Sequence, residues 1–239
     1  MRAIILAAGR GKRMKSSTRT MPKCLLEVRG KRLLDWQLSA LRGAGIDDVA
    51  IVTGYRREML SGCGLFEFHN PLWKTTDMVA SLFCAGDWLA ESPCIISYSD
   101  IFYDVSLIES MIQTSAPIAV AYDPNWLELW SRRFANPLSD AETFRLNDDN
   151  GVIEIGKPAR KLEQIQGQYM GLISVTPEGW EEFSLIRSGM SPSEMSNSNM
   201  TEFLQKIIDA GRKSILGVPY ENYWGEVDSQ SDLSLYDTL

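Results

Sequence analysis

Arg2-Ala3-Ile4-Ile5-Leu6-Ala7-Ala8-Gly9-Arg10-Gly11-Lys12-Arg13-Met14 is the stretch that decides the fold of this 239-residue chain. From Ala3 to Ala8 it is continuously apolar rather than alternating, the pattern of a central strand covered on both faces. At Gly9 it turns abruptly to small and cationic residues. Gly9 to Cys24 has no apolar period, contains Pro22, and reads as a loop. Loops this long inside a compact domain are uncommon and usually functional.

Working outward, Leu34, Leu38 and Leu41 have helical spacing, stopped by Gly43 and Gly45. Val49 to Thr53, Leu65 to Phe68 and Cys94 to Tyr98 read as buried strands, the last ending at Asp100. Met78 to Leu89 reads as one helix with Asp77 as its N-cap. Leu107 to Ile112 reads as helix and Ile118 to Tyr122 as strand. This alternation predicts an α/β fold: a mostly parallel sheet sandwiched by helices. In the second half, Thr143 to Leu146 and Val152 to Ile155 flank Asn147 to Gly151, a hairpin signal. Met170 to Val175, Ile215 to Val218 and Trp224 to Asp228 look extended. Glu178 to Ile186 and Thr201 to Ile208 look helical, the latter after a Ser/Asn-rich loop. This half is expected to be an antiparallel addition to the same sheet, forming a small lobe. One domain is expected over 1–239, in two halves, 1–122 and 123–239.

Composition narrows the function. With 44% hydrophobic residues the chain can bury a full core, which argues against disorder. No apolar run is long enough for a membrane span, and Met1 to Gly9 is too short for a signal peptide. Four cysteines, Cys24, Cys63, Cys84 and Cys94, form no C-x-x-C pair. Free thiols and a cytoplasmic location are expected. The net charge of −7 is uneven: the first 32 residues hold ten Lys/Arg against one acid, leaving −16 on the remainder. An acidic body disfavours nucleic acid and anionic membranes, whereas a basic end suits a small polyanion. A solvated basic face is the plain alternative.

The loop is not a P-loop: Leu6 stands where the first Gly is needed, and Lys12 is followed by Arg13. Nor is it a dinucleotide fingerprint, because Met14 replaces the third small residue. It still offers small residues against which a base and ribose can lie, and glycine N–H groups that can face phosphate.

Leu6-Ala7-Ala8-Gly9-x-Gly11-x-Arg13-Met14, followed by Pro22-Lys23-x-Leu25-Leu26 and Gly30-Lys31-x-Leu33-Leu34, resembles the signature of the NTP-transferase family. The resemblance implies a Rossmann-like mixed sheet and transfer of NMP from an NTP with release of pyrophosphate. It places Leu6, Ala7, Ala8, Gly9 and Gly11 against the nucleotide, with Arg13 and Lys23 as the catalytic phosphate-holding cations. The family also carries an Asp after the fourth strand and a Glu-Ile-Asp-Thr-like segment near the end. Asp100 and Asp228, the latter in Gly225-Glu226-Val227-Asp228-Ser229, match that pattern and imply a Mg²⁺ site. Taken locally, Asp100 can also be read as a turn or N-cap aspartate, and Asp228 equally as the N-cap of the final helix. Such chemistry is mainly positioning and charge neutralisation, since the acceptor oxygen is already anionic.

Glu154-Ile155-Gly156-Lys157-Pro158 resembles a segment whose Lys contacts acceptor phosphate, which marks Glu154 and Lys157. Gln168-Tyr169-Met170-Gly171-Leu172 resembles the strand lining the acceptor pocket, which marks Tyr169. Asn70 to Trp73, Thr76 to Leu82 and Asp123 to Arg133 resemble phosphocholine cytidylyltransferase-like proteins. That branch implies CTP as donor, Ser81 near the nucleotide, and a small phospho- or phosphono-acceptor. Trp126 offers an aromatic wall, or else core packing at i, i+4 with Trp130. Arg132 and Arg133 offer anion recognition, and only one of two adjacent helical arginines can face a pocket. They favour an anionic acceptor over phosphocholine. A sugar-1-phosphate nucleotidylyltransferase and a catalytically silent nucleotide-binding regulator are the competing expectations. A homodimer is compatible with the sequence, which does not set the oligomeric state.

Overall fold

A computed structural model describes residues 1–14 and 17–238, the side chain of Lys12 excepted. β1 (Arg2–Ala7) is followed, after the loop, by a small hairpin of β2 (Glu27–Val28) and β3 (Lys31–Arg32). Then come α1 (Leu33–Gly43), β4 (Val49–Thr53) and β5 (Phe66–His69). The single helix expected over Met78 to Leu89 is two, α2 (Met78–Phe83) and α3 (Gly86–Glu91). The break lies beside Gly86, where an added Cβ would stand 3.2 Å from the Trp180 ring. β6 (Cys94–Tyr98), β7 (Ile101–Tyr103), α4 (Val105–Gln113), β8 (Ile118–Asp123) and α5 (Trp126–Arg133) continue the alternation.

The second half holds β9 (Glu142–Leu146), β10 (Val152–Pro158), β11 (Gln168–Val175) and α6 (Pro177–Ser188). α7 (Pro192–Asn197) occupies part of the Ser/Asn-rich stretch expected to be a loop. Ser191 and Glu194 form a reciprocal capping box there, with Pro192 in the first turn, which is enough to start a short helix. α8 (Met200–Ala210), β12 (Leu216–Pro219), β13 (Trp224–Glu226) and α9 (Gln230–Tyr236) complete the chain.

The central sheet has seven strands in the order β12-β8-β11-β6-β1-β4-β5. All neighbours are parallel except those made by β11, which runs against both β6 and β8. The fold is therefore an α/β, mostly parallel mixed sheet. Part of the second-half expectation is corrected. β12 joins in parallel, and β9 and β10 form their own two-stranded sheet. That hairpin stays out of the central sheet because its apolar residues, Phe144, Val152 and Ile155, are buried with Met200, Phe203 and Leu204 of α8.

Strand period explains the layers. Ala3, Ile5, Val49, Ile51 and Ile95 point to one side and pack with α1, α4 and α5. Ile4, Leu6, Ala50, Val52 and Ile96 point to the other and pack with α2, α3, α6 and α8. A third, smaller core joins Met14, Leu26, Val28, Leu33, Phe102, Val227 and Tyr236. It fastens the first loop and the C-terminal segment to the same end of the sheet, where the C-terminal ends of β1 and β6 lie.

Candidate active site

The first loop leaves β1 at Ala8 and is held by specific bonds. Tyr55 donates its hydroxyl to the carbonyls of Thr18 and Arg19, and Thr18 donates to the carbonyl of Gly11 at 2.9 Å. Gly11 has φ +65°, and a Cβ there would stand 3.1 Å from Lys23 Cδ. Glycine thus serves both the left-handed turn and the passage of the Lys23 stem.

Lys23 sits in a short 3₁₀ turn, Lys23–Leu25, entered through Pro22. It is 7% exposed, so its charge needs partners. Its Nζ lies 2.8 Å from Asp100 Oδ2 and 2.6 Å from Asp228 Oδ1. Burial alone would lower the Lys23 pKa, but the two carboxylates outweigh it and raise it. Burial likewise opposes ionisation of Asp228, and Lys23, Arg13 and Arg133 together hold its pKa below the ordinary value.

Two devices bring the aspartates together across 128 positions of sequence. Gln37 of α1, fully buried, donates to the carbonyls of Tyr98 and Ile101, clamping the backbone on either side of Asp100. β13 pairs antiparallel with β7, Glu226 opposite Ile101, and the Val227 N–H reaches the Asp100 carbonyl at 2.9 Å. Asp228 follows at once. Its N–H, and that of Ser229, donate to Asp232 Oδ2. The cap of α9 is Ser229, so Asp228 is not spent as an N-cap.

Asp100, Glu226 and Asp228 each offer a carboxylate oxygen within 4.8 Å of one another. Among the described residues, Asp100 Oδ1 is buried without a hydrogen-bond partner. A set of hard oxygen donors with one orphaned oxygen, already arranged around the Lys23 ammonium, fits a divalent cation. Burial, then the charge of Asp228, raises the Glu226 pKa, against the opposing charge of Arg133.

Two cavities meet at this cluster. The first, of about 290 Å³, is lined by Leu6, Ala8, Gly9, Gly11, Arg13, Lys23, Ser81, Asp100 and Asp228, with Trp73 and Met78 beside them. Ser81 is held by the Asn70 amide at 3.0 Å. Ala7, on the strand itself, is buried behind this wall. The second, of about 260 Å³, shares Arg13, Asp77, Met78 and Asp228 with the first and extends past Asp140, Glu142, Tyr169 and Thr201. Arg13 marks the seam, 3.1 Å from Asp228.

Five expected acceptor-end residues are not where the sequence suggested. Arg132 points outward and pairs with Glu128 at 2.7 Å, as i, i+4 neighbours on a helix do. Arg133 is fully buried and faces the carboxylates of Glu226 and Asp232, each at 3.0 Å, so it braces the C-terminal segment rather than lining a pocket. Trp126 is buried in the core, edge to face with Trp130. Lys157 pairs with Glu154 at 2.9 Å on the hairpin, and neither lines the two cavities. Missing from the expectation were Asp140 and Glu142. Their only local signal is that acids flank Ala141 at the start of a half-buried strand.

Residues 3–155 match the MobA-like NTP transferase domain, and the chain belongs to that family. It is a nucleotidyltransferase. It is 34% identical to CTP:phosphoglutamine cytidylyltransferase of Campylobacter jejuni over 98% of both chains. It is 28% identical to 2-aminoethylphosphonate cytidylyltransferase of Lancefieldella rimae over 65% of this chain and 60% of that one. In fold it is similar to the CTP:phosphocholine cytidylyltransferase of Streptococcus pneumoniae. The TM-score is 0.76, at 20% identity, covering 99% of this chain and 97% of that one.

Proposed function

We propose that the protein transfers CMP from CTP to a small phosphate- or phosphonate-bearing metabolite, releasing pyrophosphate. The observation that carries this reading is the meeting of two cavities at Arg13 and Asp228, beside the Lys23 ammonium and Asp100. One cavity has the glycine-rich wall suited to a nucleotide. The other ends on the same charged cluster, where an acceptor oxygen would face the α-phosphorus.

In the reaction an acceptor oxygen forms a bond to the α-phosphorus while the bond to the β-phosphate bridging oxygen breaks. No proton has to move, because the nucleophile is an anion. The obstacle is repulsion between two polyanions. Lys23 and Arg13 offset it from the protein side, and the glycine-rich wall at Gly9 and Gly11 lets phosphate come close to the backbone. Asp100 and Asp228, with Glu226 beside them, would hold Mg²⁺, which supplies Lewis-acid neutralisation of phosphate charge when bound. Free thiols support a cytoplasmic site of action: all four cysteines are unpaired, and burial pushes Cys24 and Cys94 up to about 12.

The test is pyrophosphate release over four NTPs against 2-aminoethylphosphonate, phosphocholine, phosphonoformate and glucose-1-phosphate. Release with CTP and a phospho- or phosphono-compound is expected. Turnover confined to dTTP or UTP with the sugar phosphate would replace this reading with a sugar nucleotidylyltransferase. No release with any pair would favour a binding-only regulator.

A further inference from the structure

The segment that joins β5 to α2 carries a small hydrogen-bond network with a fixed direction. Asn70, 3% exposed, stands at its start. The Leu72 N–H donates to Asn70 Oδ1 at 2.9 Å, so the other end of the amide is the NH2 group. That group donates to the hydroxyl oxygens of Thr76 and Ser81, each at 3.0 Å. Thr76 passes its own hydroxyl hydrogen to the Leu72 carbonyl at 2.9 Å. Ser81 has no comparable outlet. Among the described residues its hydroxyl finds one acceptor, the Asp77 carbonyl, at 3.5 Å, the outer limit of a hydrogen bond. Ser81 is buried and lines the first cavity with Leu6, Ala8 and Gly9.

A buried hydroxyl that already accepts a bond and still has its hydrogen to give faces a ligand as a donor. Arg13, Lys23, Asp100 and Asp228 make the charged part of the same wall, which suits phosphates. Ser81 belongs to the uncharged part, which suits a base. We infer that Ser81 donates to N3 of a cytosine ring, and that Asn70 is the positioning residue that makes it a donor. The inference rests on the CTP reading proposed above and adds how the base is chosen. Cytosine N3 is a bare acceptor. Uracil carries a hydrogen on N3, so Ser81 would meet it donor to donor. A donor can favour cytosine over uracil nowhere else on that edge, because O2 is common to both rings and O4 of uracil is itself an acceptor.

The experiment measures Kd by titration calorimetry, with Mg²⁺ and without acceptor, for CTP, UTP and 3-deaza-CTP, in which N3 is replaced by C–H. Wild type is expected to bind CTP roughly tenfold to a hundredfold more tightly than either of the others, the range for leaving a buried donor unmet. In Ser81→Ala the three affinities converge through weaker CTP binding. In Asn70→Asp the carboxylate accepts the Ser81 hydrogen and leaves the Ser81 oxygen to accept from uracil N3–H, so the order of CTP and UTP reverses. The wild-type and Ser81→Ala comparisons stand whether or not Asn70→Asp folds. Equal binding of CTP and 3-deaza-CTP in wild type, or an undiminished CTP preference in Ser81→Ala, overturns the role of Ser81 and leaves the transferase reading intact. A CTP preference kept in folded Asn70→Asp overturns the role of Asn70. Tighter binding of UTP than CTP by wild type contradicts the CTP reading and this inference together.

Discussion

The two ends of the cleft are built in opposite ways. On the proposed reading, the nucleotide end takes one wall from a continuous stretch, the strand β1 and its loop, with small residues and the cations Arg13 and Lys23, and closes it with Trp73 to Ser81 and the two aspartates. The acceptor end is assembled from β9, β11, α8 and the C-terminal segment, residues far apart in sequence, and its charge is acidic. If the proposed reading holds, the difference teaches that the phosphate-facing wall is written mainly in local sequence, whereas the acceptor wall is a product of tertiary packing. Where they meet, the Lys23 ammonium lies between two aspartates and balances both ends.

Removing that balance should have the largest effect. Lys23→Ala and Asp100→Asn are each expected to lower kcat by about 10²–10³, the usual cost of losing one preorganised electrostatic contact. Steady-state pyrophosphate release, with circular dichroism to confirm the fold, checks this. Near-normal turnover in either variant would remove Lys23 or Asp100 from the reaction.

The neighbouring arginines sharpen the comparison on the structural side. Arg133→Met strands Glu226 and Asp232 in the interior and is expected to cost on the order of 3–5 kcal/mol, as for breaking a buried ion pair. Urea denaturation measures it. A loss below about 1 kcal/mol, the scale of an exposed pair, would return Arg133 to a role in ligand binding.

A smaller effect is expected from divalent ions alone. In Lys23→Met the carboxylates of Asp100 and Asp228 lose their resident ammonium, so Mg²⁺ or Mn²⁺ without nucleotide should raise the melting temperature more than in wild type. Equal shifts would argue against a shared site for the lysine and the metal. Smallest of all, Arg132→Ala should change stability by no more than about 0.5 kcal/mol, as for an exposed i, i+4 pair, and leave KM for both substrates unchanged.

What was legible in the sequence follows the same division. Continuous apolar runs announced β1, β4, β6 and β8 because a strand buried on both faces has little choice of residue. The motif carried by the Gly9 to Cys24 stretch was legible because its chemistry is local. Asp100 and Asp228 were visible as candidates, but their meeting depends on β7 pairing with β13 and on the Gln37 clamp, registers that no local pattern specifies. Arg133 illustrates the limit. Helical spacing shows that it and Arg132 diverge, but not which one meets solvent and which meets Glu226 and Asp232. The hairpin's departure from the central sheet was likewise decided by α8, which offers Phe144, Val152 and Ile155 a core of their own.

The central claim is that this cleft joins a nucleotide to a phosphoryl or phosphonyl acceptor. Phosphorus NMR of the protein with CTP, Mg²⁺ and 2-aminoethylphosphonate tests it most directly. The account predicts a new pair of coupled phosphorus resonances from a CMP–phosphonate anhydride, growing together with pyrophosphate and absent in Lys23→Ala. Unchanged CTP here and with phosphocholine and phosphonoformate in its place, or decay of CTP to CMP and pyrophosphate with every acceptor resonance untouched, would contradict it.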